Sequence, residues 1–390
     1  MRSFQIGKRH VGDGYPTYFI ADISANHDGS LERALKLIRL AKQAGADGAK
    51  FQHFRAPKIV SDYGFRALGG QFSHQATWRK SVCAVYEDAS LPWEWTPDLK
   101  ACCDEEGIEF LSTPYDFEAV NMLDPYVRAY KIGSGDITWP EMLESVASKQ
   151  KPVILSSGAS DISDVRRAME VLQAVNPHLA LLQCNTNYTG SLESFDHIHL
   201  NVLRMYQAMF PNVVVGLSDH TQGCATVLGA VALGGRIIEK HFTDDTRREG
   251  PDHPFSMTPK SWHEMVARTR ELERALGSTV KSVAKNEQDT VILQRRCLRA
   301  SHDLAIGARI ERSDIEVLRP APVDAILPFE MTKILGRHLR CSVPKGQHLT
   351  WATFENSVLS FPSNSESQRA QQEWFDEPHR GPYSRKGYLV

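Results

Sequence analysis

The chain of 390 residues carries 45 Lys and Arg against 47 Asp and Glu, a formal net charge of −2, with 42% hydrophobic and 24% charged residues. This composition can bury a large core, and it excludes a bulk cationic field, so nucleic acid is not an expected partner. The longest apolar stretch, Cys224 to Leu233, is too short to span a bilayer, the N-terminus shows no apolar leader, and seven cysteines without a CxxC pair read as reduced thiols in a cytoplasm, with no zinc site and no disulfide framework.

Short β-rich runs alternate with helical periods through residues 1–280. The runs are Tyr18 to Ser24, Ala49 to His53, Glu109 to Thr113, Ala129 to Gly133, Pro152 to Ser156, Ala180 to Asn185, Val213 to Ser218 and Ile237 to His241. Between them lie helix-period stretches such as Ser30 to Gln43, Asp161 to Ala174, Gly223 to Leu233 and Pro259 to Leu276. Eight βα units in that span predict an α/β fold, a (β/α)8 TIM barrel. A doubly wound sheet competes, but no glycine-rich dinucleotide turn follows the first run. Residues 281–294 are polar and read as a linker. Residues 295–357 are short runs broken by Ile306-Gly307, Pro320, Pro322, Pro328, Gly336 and Pro344-Lys345-Gly346, which predicts a small, mostly-β domain. Residues 358–390 are rich in Ser, Gln, Glu, Arg and Pro and read as a mobile tail.

A barrel places its chemistry at the C-terminal ends of its strands. Those ends carry Asp22, Asn26 and His27; Lys50, Gln52 and His53; Ser112 and Thr113; Lys131, Ser134 and Asp136; Ser156 and Ser157; Asn185 to Tyr188; Ser218, Asp219 and His220; Glu239, Lys240 and His241. Lys50 and Lys131, taken singly, are as well explained as rim charges. Together with Ser134, Ser156, Thr113 and Ser218 they converge as an anion pocket, since lysine is a point charge for phosphate and hydroxyls complete the cage. His220 and His241 end consecutive strands and are either hydrogen-bonded rim histidines or a divalent-metal pair with open positions for substrate. His27 and His53 are weaker metal candidates. Gly250-Pro251-Asp252 has turn chemistry by default, with Asp252 also able to bind a polyol. Contiguous Ser218, Asp219 and His220 are no triad, because adjacent strand residues face opposite ways.

In order along the chain stand Ala21-Asp22-Ile23-Ser24-Ala25-Asn26-His27-Asp28-Gly29-Ser30, Ala49-Lys50-Phe51-Gln52, Leu111-Ser112-Thr113-Pro114 and Tyr130-Lys131-Ile132-Gly133-Ser134. Gly216-Leu217-Ser218-Asp219-His220-Thr221, Ile238-Glu239-Lys240-His241-Phe242-Thr243 and Gly250-Pro251-Asp252 follow. Together these motifs resemble the bacterial sialic acid synthase family: the N-acetylneuraminate, legionaminate and pseudaminate synthases. Residues Leu298 to Glu355 resemble that family's C-terminal antifreeze-like (SAF) domain. The resemblance implies condensation of phosphoenolpyruvate with an N-acetylated amino-sugar aldose to a nine-carbon 2-keto acid plus phosphate. It implies a divalent metal, Mn²⁺ first with Mg²⁺ or Co²⁺ as alternatives, and a domain-swapped homodimer.

Carried over residue by residue, Lys50, Thr113, Lys131, Ser134, Ser156 and Ser218 match phosphoenolpyruvate contacts, and His220 and His241 match metal ligands. Gln52, Asp136, Tyr188, Glu239 and Asp252 match sugar contacts, and Arg319 matches an arginine that the SAF domain reaches into a partner's barrel. Asp22 is the candidate for orienting or deprotonating a water. The sequence departs from the family where Asp22 and Asp136 stand in place of Glu, where the sixth strand ends Cys184-Asn185-Thr186-Asn187-Tyr188, and at Thr77, near a sugar-binding Asn. These departures leave the phosphoenolpyruvate and metal motifs intact and alter the sugar motifs. The alternatives are a related condensation with a phosphorylated aldose and a catalytically silent barrel that binds a sugar or a partner.

Overall fold

The computed structural model describes residues 2–354. The stretch read as a tail, 358–390, lies outside the described residues, and so does the Thr77 side chain. The chain forms two compact units that divide between Gly277 and Ser278.

The first unit opens with a hairpin, β1 (Ser3–Ile6) against β2 (Arg9–Gly12). Eight parallel strands follow: β3 (Tyr18–Asp22), β4 (Gly48–His53), β5 (Glu109–Pro114), β6 (Tyr130–Ile132), β7 (Val153–Ser156), β8 (Leu179–Cys184), β9 (Val214–Asp219) and β10 (Ile237–His241). They close into a barrel in chain order, with β10 pairing back onto β3. Each sequence-predicted run coincides with one of these strands to within two residues at either end. The strands are buried on both faces, by the barrel interior and by the helical layer, and so read as apolar runs rather than alternating ones.

The helix Leu31–Gln43 shows how that layer is built. Ser30 caps it by accepting from Arg33 N, and Ala34, Leu37, Ile38 and Ala41 repeat at helical spacing and are buried. Burial of Leu37 and Ile38 contributes roughly 1.5–3 kcal/mol each. They join a continuous apolar core between strands and helices with Phe19, Phe51, Leu217 and Trp262.

A second core fills the barrel's N-terminal end. Tyr18, Ile20, Leu111, Ala129, Ile154, Leu182, Val214 and Ile237 pack there against Phe4, Ile6 and Val11 of the hairpin. The hairpin therefore plugs the floor, and side chains from the upper part of the same inward rows form the chemistry at the opposite end.

In the second unit, β11 (Cys297–Ala300) pairs antiparallel with β12 (Ile315–Leu318). Its core holds Leu298, Ile310, Ile326, Leu339, Leu349 and Phe354. The segment 281–294 is not wholly irregular: a short helix spans Gln288–Gln294, its Ile292 and Leu293 still substantially exposed.

Candidate active site

Strand parity sorts the polar residues. Successive side chains of a strand face opposite ways, so Asp22, Lys50, Gln52, Thr113, Lys131, Ser156, Ser218, His220, Glu239 and His241 share the interior with Cys184 and line one deep pocket of about 50 Å³. Ser134, Gly133, Tyr115 and Tyr188 complete it. The intervening residues take structural partners. His53 holds Ser112 Oγ at 2.6 Å and Thr96 Oγ1 at 2.9 Å, and Ser157 donates to Leu182 O. Asn26 bonds Phe242 O and Ser256 Oγ, Asn185 bonds His197 O, and His27 accepts from Gly29 N. Thus His27 and His53 are structural histidines.

Four charges meet in the deep pocket. Lys50 Nζ lies 2.7 Å from Asp22 Oδ2 and 3.3 Å from Glu239 Oε1, and Lys131 Nζ lies 3.3 Å from Glu239 Oε2. All four side chains are 3–4% exposed. Burial pulls the Lys50 pKa down, but the Asp22 and Glu239 carboxylates more than offset it and hold it above the ordinary lysine value. Burial lowers Lys131, which shares one carboxylate and feels Lys50 as a like charge. Burial raises Glu239, yet the two lysines outweigh it and carry the carboxyl down to about 2.

The imidazoles of His220 and His241 stand with ring centroids 5.4 Å apart. His220 Nδ1 lies 2.9 Å from Asn185 O. A carbonyl can only accept, so Nδ1 carries the proton and Nε2 keeps its lone pair. Burial, then the neighbouring His241, lowers the His220 pKa to about 4. His241 Nε2 is 3.6 Å from Asp22 Oδ2, and its Nδ1 is buried without a hydrogen bond. Tyr188 and Phe255 wedge against both rings. Two nitrogen donors beside a carboxylate fit a divalent ion that keeps open positions. No cluster of three His, Cys, Asp or Glu with metal-holding geometry occurs among the described residues.

Above the deep pocket lies a wider chamber of about 410 Å³ that shares Gln52, Tyr115, Gly133, Ser134, Tyr188 and His241 with it. Its walls include Asp136, Thr186 and Asp252 and an aromatic arc of Phe54, Trp78 and Tyr86. Burial raises the Asp136 carboxyl to about 6, partly offset by Lys131. Asp136 Oδ2, Thr186 Oγ1 and, in the deep pocket, Ser156 Oγ are buried without hydrogen-bond partners. Such orphans are uncommon in folded proteins, and their concentration at one mouth marks a place for a polar ligand.

Asp252 is tied to the loop after β3: its Oδ2 accepts from Ser24 Oγ at 2.5 Å and Ala25 N at 3.3 Å. Ser24 is left-handed at φ 46°, and its N–H donates to Asp22 Oδ1, so one strained residue links Asp22 to Asp252. Gly158 N donates to Ser134 Oγ, and a Cβ there would meet Thr186 Oγ1 at 2.0 Å, so the close approach of β7 and β8 loops needs glycine. Arg319 is exposed in the second unit.

The structure thus brings every sequence-predicted barrel residue of the site into the two connected pockets. The aromatic arc is the part that sequence reasoning missed. Phe54, Trp78 and Tyr86 come from the excursion between β4 and β5, whose helices Ala56–Ile59, Asp62–Ala67 and Val82–Ala89 are too short to show a period. Its density of aromatic residues is the signal that was there to find.

Comparison with known proteins places this geometry. The model of the NeuB family matches residues 37–281, and that of the SAF domain matches residues 295–355. The N,N'-diacetyllegionaminic acid synthase of Legionella pneumophila is 34% identical over 360 residues, 90% of this chain and 98% of that protein. The human N-acetylneuraminate-9-phosphate synthase is 33% identical over 276 residues, 70% of this chain and 75% of its own. The crystal structure of an N-acetylneuraminic acid synthetase from Leptospira borgpetersenii, in complex with citrate, superposes with a TM-score of 0.65 at 28% identity, covering 74% of this chain and 95% of that one. Both the barrel and the small β unit are accounted for, and the chain belongs to the NeuB family and carries a SAF domain.

Proposed function

We propose that this chain joins phosphoenolpyruvate to the open-chain form of an N-acetylated hexose, N-acetylmannosamine or a modified hexose, giving a nonulosonic acid and phosphate. The observation that carries the reading is the two-compartment mouth: a small pocket with Lys50 and Lys131, opening into a larger chamber lined with unsatisfied polar atoms. The first presents two ammonium groups, now shared with Asp22 and Glu239, that a phosphate could draw on, and the second has the room for a sugar.

Lys50 and Lys131 offset the phosphate charge, with Thr113, Ser134, Ser156 and Ser218 supplying hydroxyls. Gln52, Asp136, Tyr188, Glu239 and Asp252 orient the aldose. The methylene carbon of phosphoenolpyruvate bonds to the aldehyde carbon. Water adds to the former enol carbon, and the tetrahedral centre expels phosphate by breaking its C–O bond. Asp22, beside both Lys50 and His241, orients that water or takes its proton. A divalent ion held by His220 and His241, Mn²⁺ ahead of Mg²⁺ or Co²⁺, supplies Lewis-acid polarisation of the aldehyde oxygen when bound.

The working form is a cytoplasmic homodimer in which the partner subunit's Arg319 completes the sugar chamber. No helix among the described residues is long and apolar enough to cross a membrane. Mixing the protein with phosphoenolpyruvate, Mn²⁺ and a panel of aldoses tests the reading through phosphate release. Release with a neutral N-acetylated aldose supports it. Release that requires a phosphorylated aldose favours the related condensation. No release with any aldose leaves a silent binding barrel.

A further inference from the structure

Lys240 stands between Glu239 and His241 on β10 but faces the helical layer instead of the interior. The strand register sets it opposite Asp219, the residue before His220. The two side chains are 1% and 0% exposed and form an ion pair. The Lys240 ammonium also donates to the Thr221 carbonyl at 2.6 Å. Asp219 accepts in addition from Thr221 N at 3.1 Å, Thr221 Oγ1 at 2.9 Å and Thr226 Oγ1 at 2.7 Å. One ammonium therefore holds the residues on both sides of His220, and its own chain neighbour is His241.

A buried ion pair loses hydration that its attraction repays poorly, and an apolar pair of similar volume would hold this wall at least as well. An apolar pair could not fix residues 219 and 221 to one register on β10. We propose that Lys240 is a positioning residue: through Asp219 and Thr221 it sets the separation and tilt of the His220 and His241 imidazoles to suit a divalent ion. This rests on the reading of those two histidines as the metal donors.

The test compares wild type with Asp219→Asn/Lys240→Met, which removes both charges with little change in volume. Free Mn²⁺ is followed by electron paramagnetic resonance, phosphoenolpyruvate binding by calorimetry in chelator, and folding by thermal melting. The expected result is a melting temperature within a few degrees of wild type, a Mn²⁺ dissociation constant about tenfold higher or more, and phosphoenolpyruvate affinity unchanged within about twofold. Mn²⁺ affinity within about twofold of wild type overturns the positioning role, since a merely structural pair would shift melting and leave the metal alone. A wild-type protein that binds no Mn²⁺ overturns the metal reading itself and the proposal with it. If the double variant does not fold, Lys240→Arg carries the same comparison. It keeps the charge but spreads it over a planar fork, and the same outcomes decide.

Discussion

Asp22 Oδ2 lies 2.7 Å from Lys50 Nζ, and the two are Cα partners in the register of β3 and β4. Lys50 is thus paired with a carboxylate, and on the proposed reading a bound phosphate would compete with Asp22 for its ammonium. Removing either lysine strands buried carboxylates and deletes the counter-charge. Lys50→Ala and Lys131→Ala are each expected to lower kcat/KM for phosphoenolpyruvate on the order of 10²-fold or more. Phosphate-release kinetics check this, and unchanged parameters in both variants would place the anion pocket elsewhere.

His220→Ala and His241→Ala are expected to abolish turnover while the circular dichroism spectrum stays native, because each ring lines the polar pocket and not the apolar layers. Chelator reproduces the loss in wild type, and added Mn²⁺ reverses it. Full activity in chelator would end the metal assignment.

Acid sensitivity follows from three buried histidines. Burial lowers His27 to about 4, His53 to about 3 and His220 to about 4. The unfolded chain takes up these protons near pH 6.5 and the folded chain does not. The associated stability is present above about pH 6.5 and lost as pH falls toward 4, roughly 2 kcal/mol per histidine by pH 5. Melting in chelator at pH 7 and pH 5 measures the slope. His53→Gln is expected to remove about a third of it; an unchanged slope would show that His53 does not contribute.

The sugar chamber carries its own signature. Asp136 titrates at about 6 because it is buried, and its ionised form is the acceptor available to a substrate hydroxyl. At saturating phosphoenolpyruvate, kcat/KM for the aldose is expected to fall as pH drops through 6. Asp136→Asn should flatten that limb. An inflection that survives the substitution belongs to another group.

Asp22 and Asp136 are each one methylene shorter than the family's usual Glu, a retreat of about 1.5 Å. Asp136 Oδ2 is left without a hydrogen bond, which costs about 1–3 kcal/mol unless a ligand supplies a donor. N-acetylmannosamine is therefore expected to be at least about tenfold poorer in kcat/KM than a diacetamido or otherwise modified hexose. An aldose panel decides, and N-acetylmannosamine emerging as the best substrate would mean that water fills the gap.

Much of this site was legible because barrel strands repeat a simple rule. Apolar runs marked the strands, and Asp22, Lys50, Lys131, Glu239 and His241 fell at their upper ends. Position along a strand does not by itself say which face a residue takes. His53, Ser112, Asp219 and Lys240 stand equally near those ends yet point outward, and parity separates them once one inward residue per strand is fixed. The N-terminal hairpin escaped notice because four-residue strands such as Ser3–Ile6 carry too little alternation. Its role comes from Phe4, Ile6 and Val11 meeting a barrel floor assembled from residues as close as Tyr18 and as far along the chain as Ile237. The Trp78 and Tyr86 wall has the same origin: long-range packing places it, not local periodicity.

The shared rim of the two pockets carries a kinetic order. The small charged pocket gives onto the large chamber at Gln52, Tyr115, Tyr188 and His241, so a hexose seated in the chamber is a stopper over whatever lies beneath. On the proposed reading, the three-carbon acid is expected to bind first. Phosphate, formed beneath the sugar, is then expected to depart after the nine-carbon acid. Steady-state inhibition should record that sequence: inorganic phosphate competes with phosphoenolpyruvate for the empty enzyme, and excess aldose slows the reaction by closing the mouth too early.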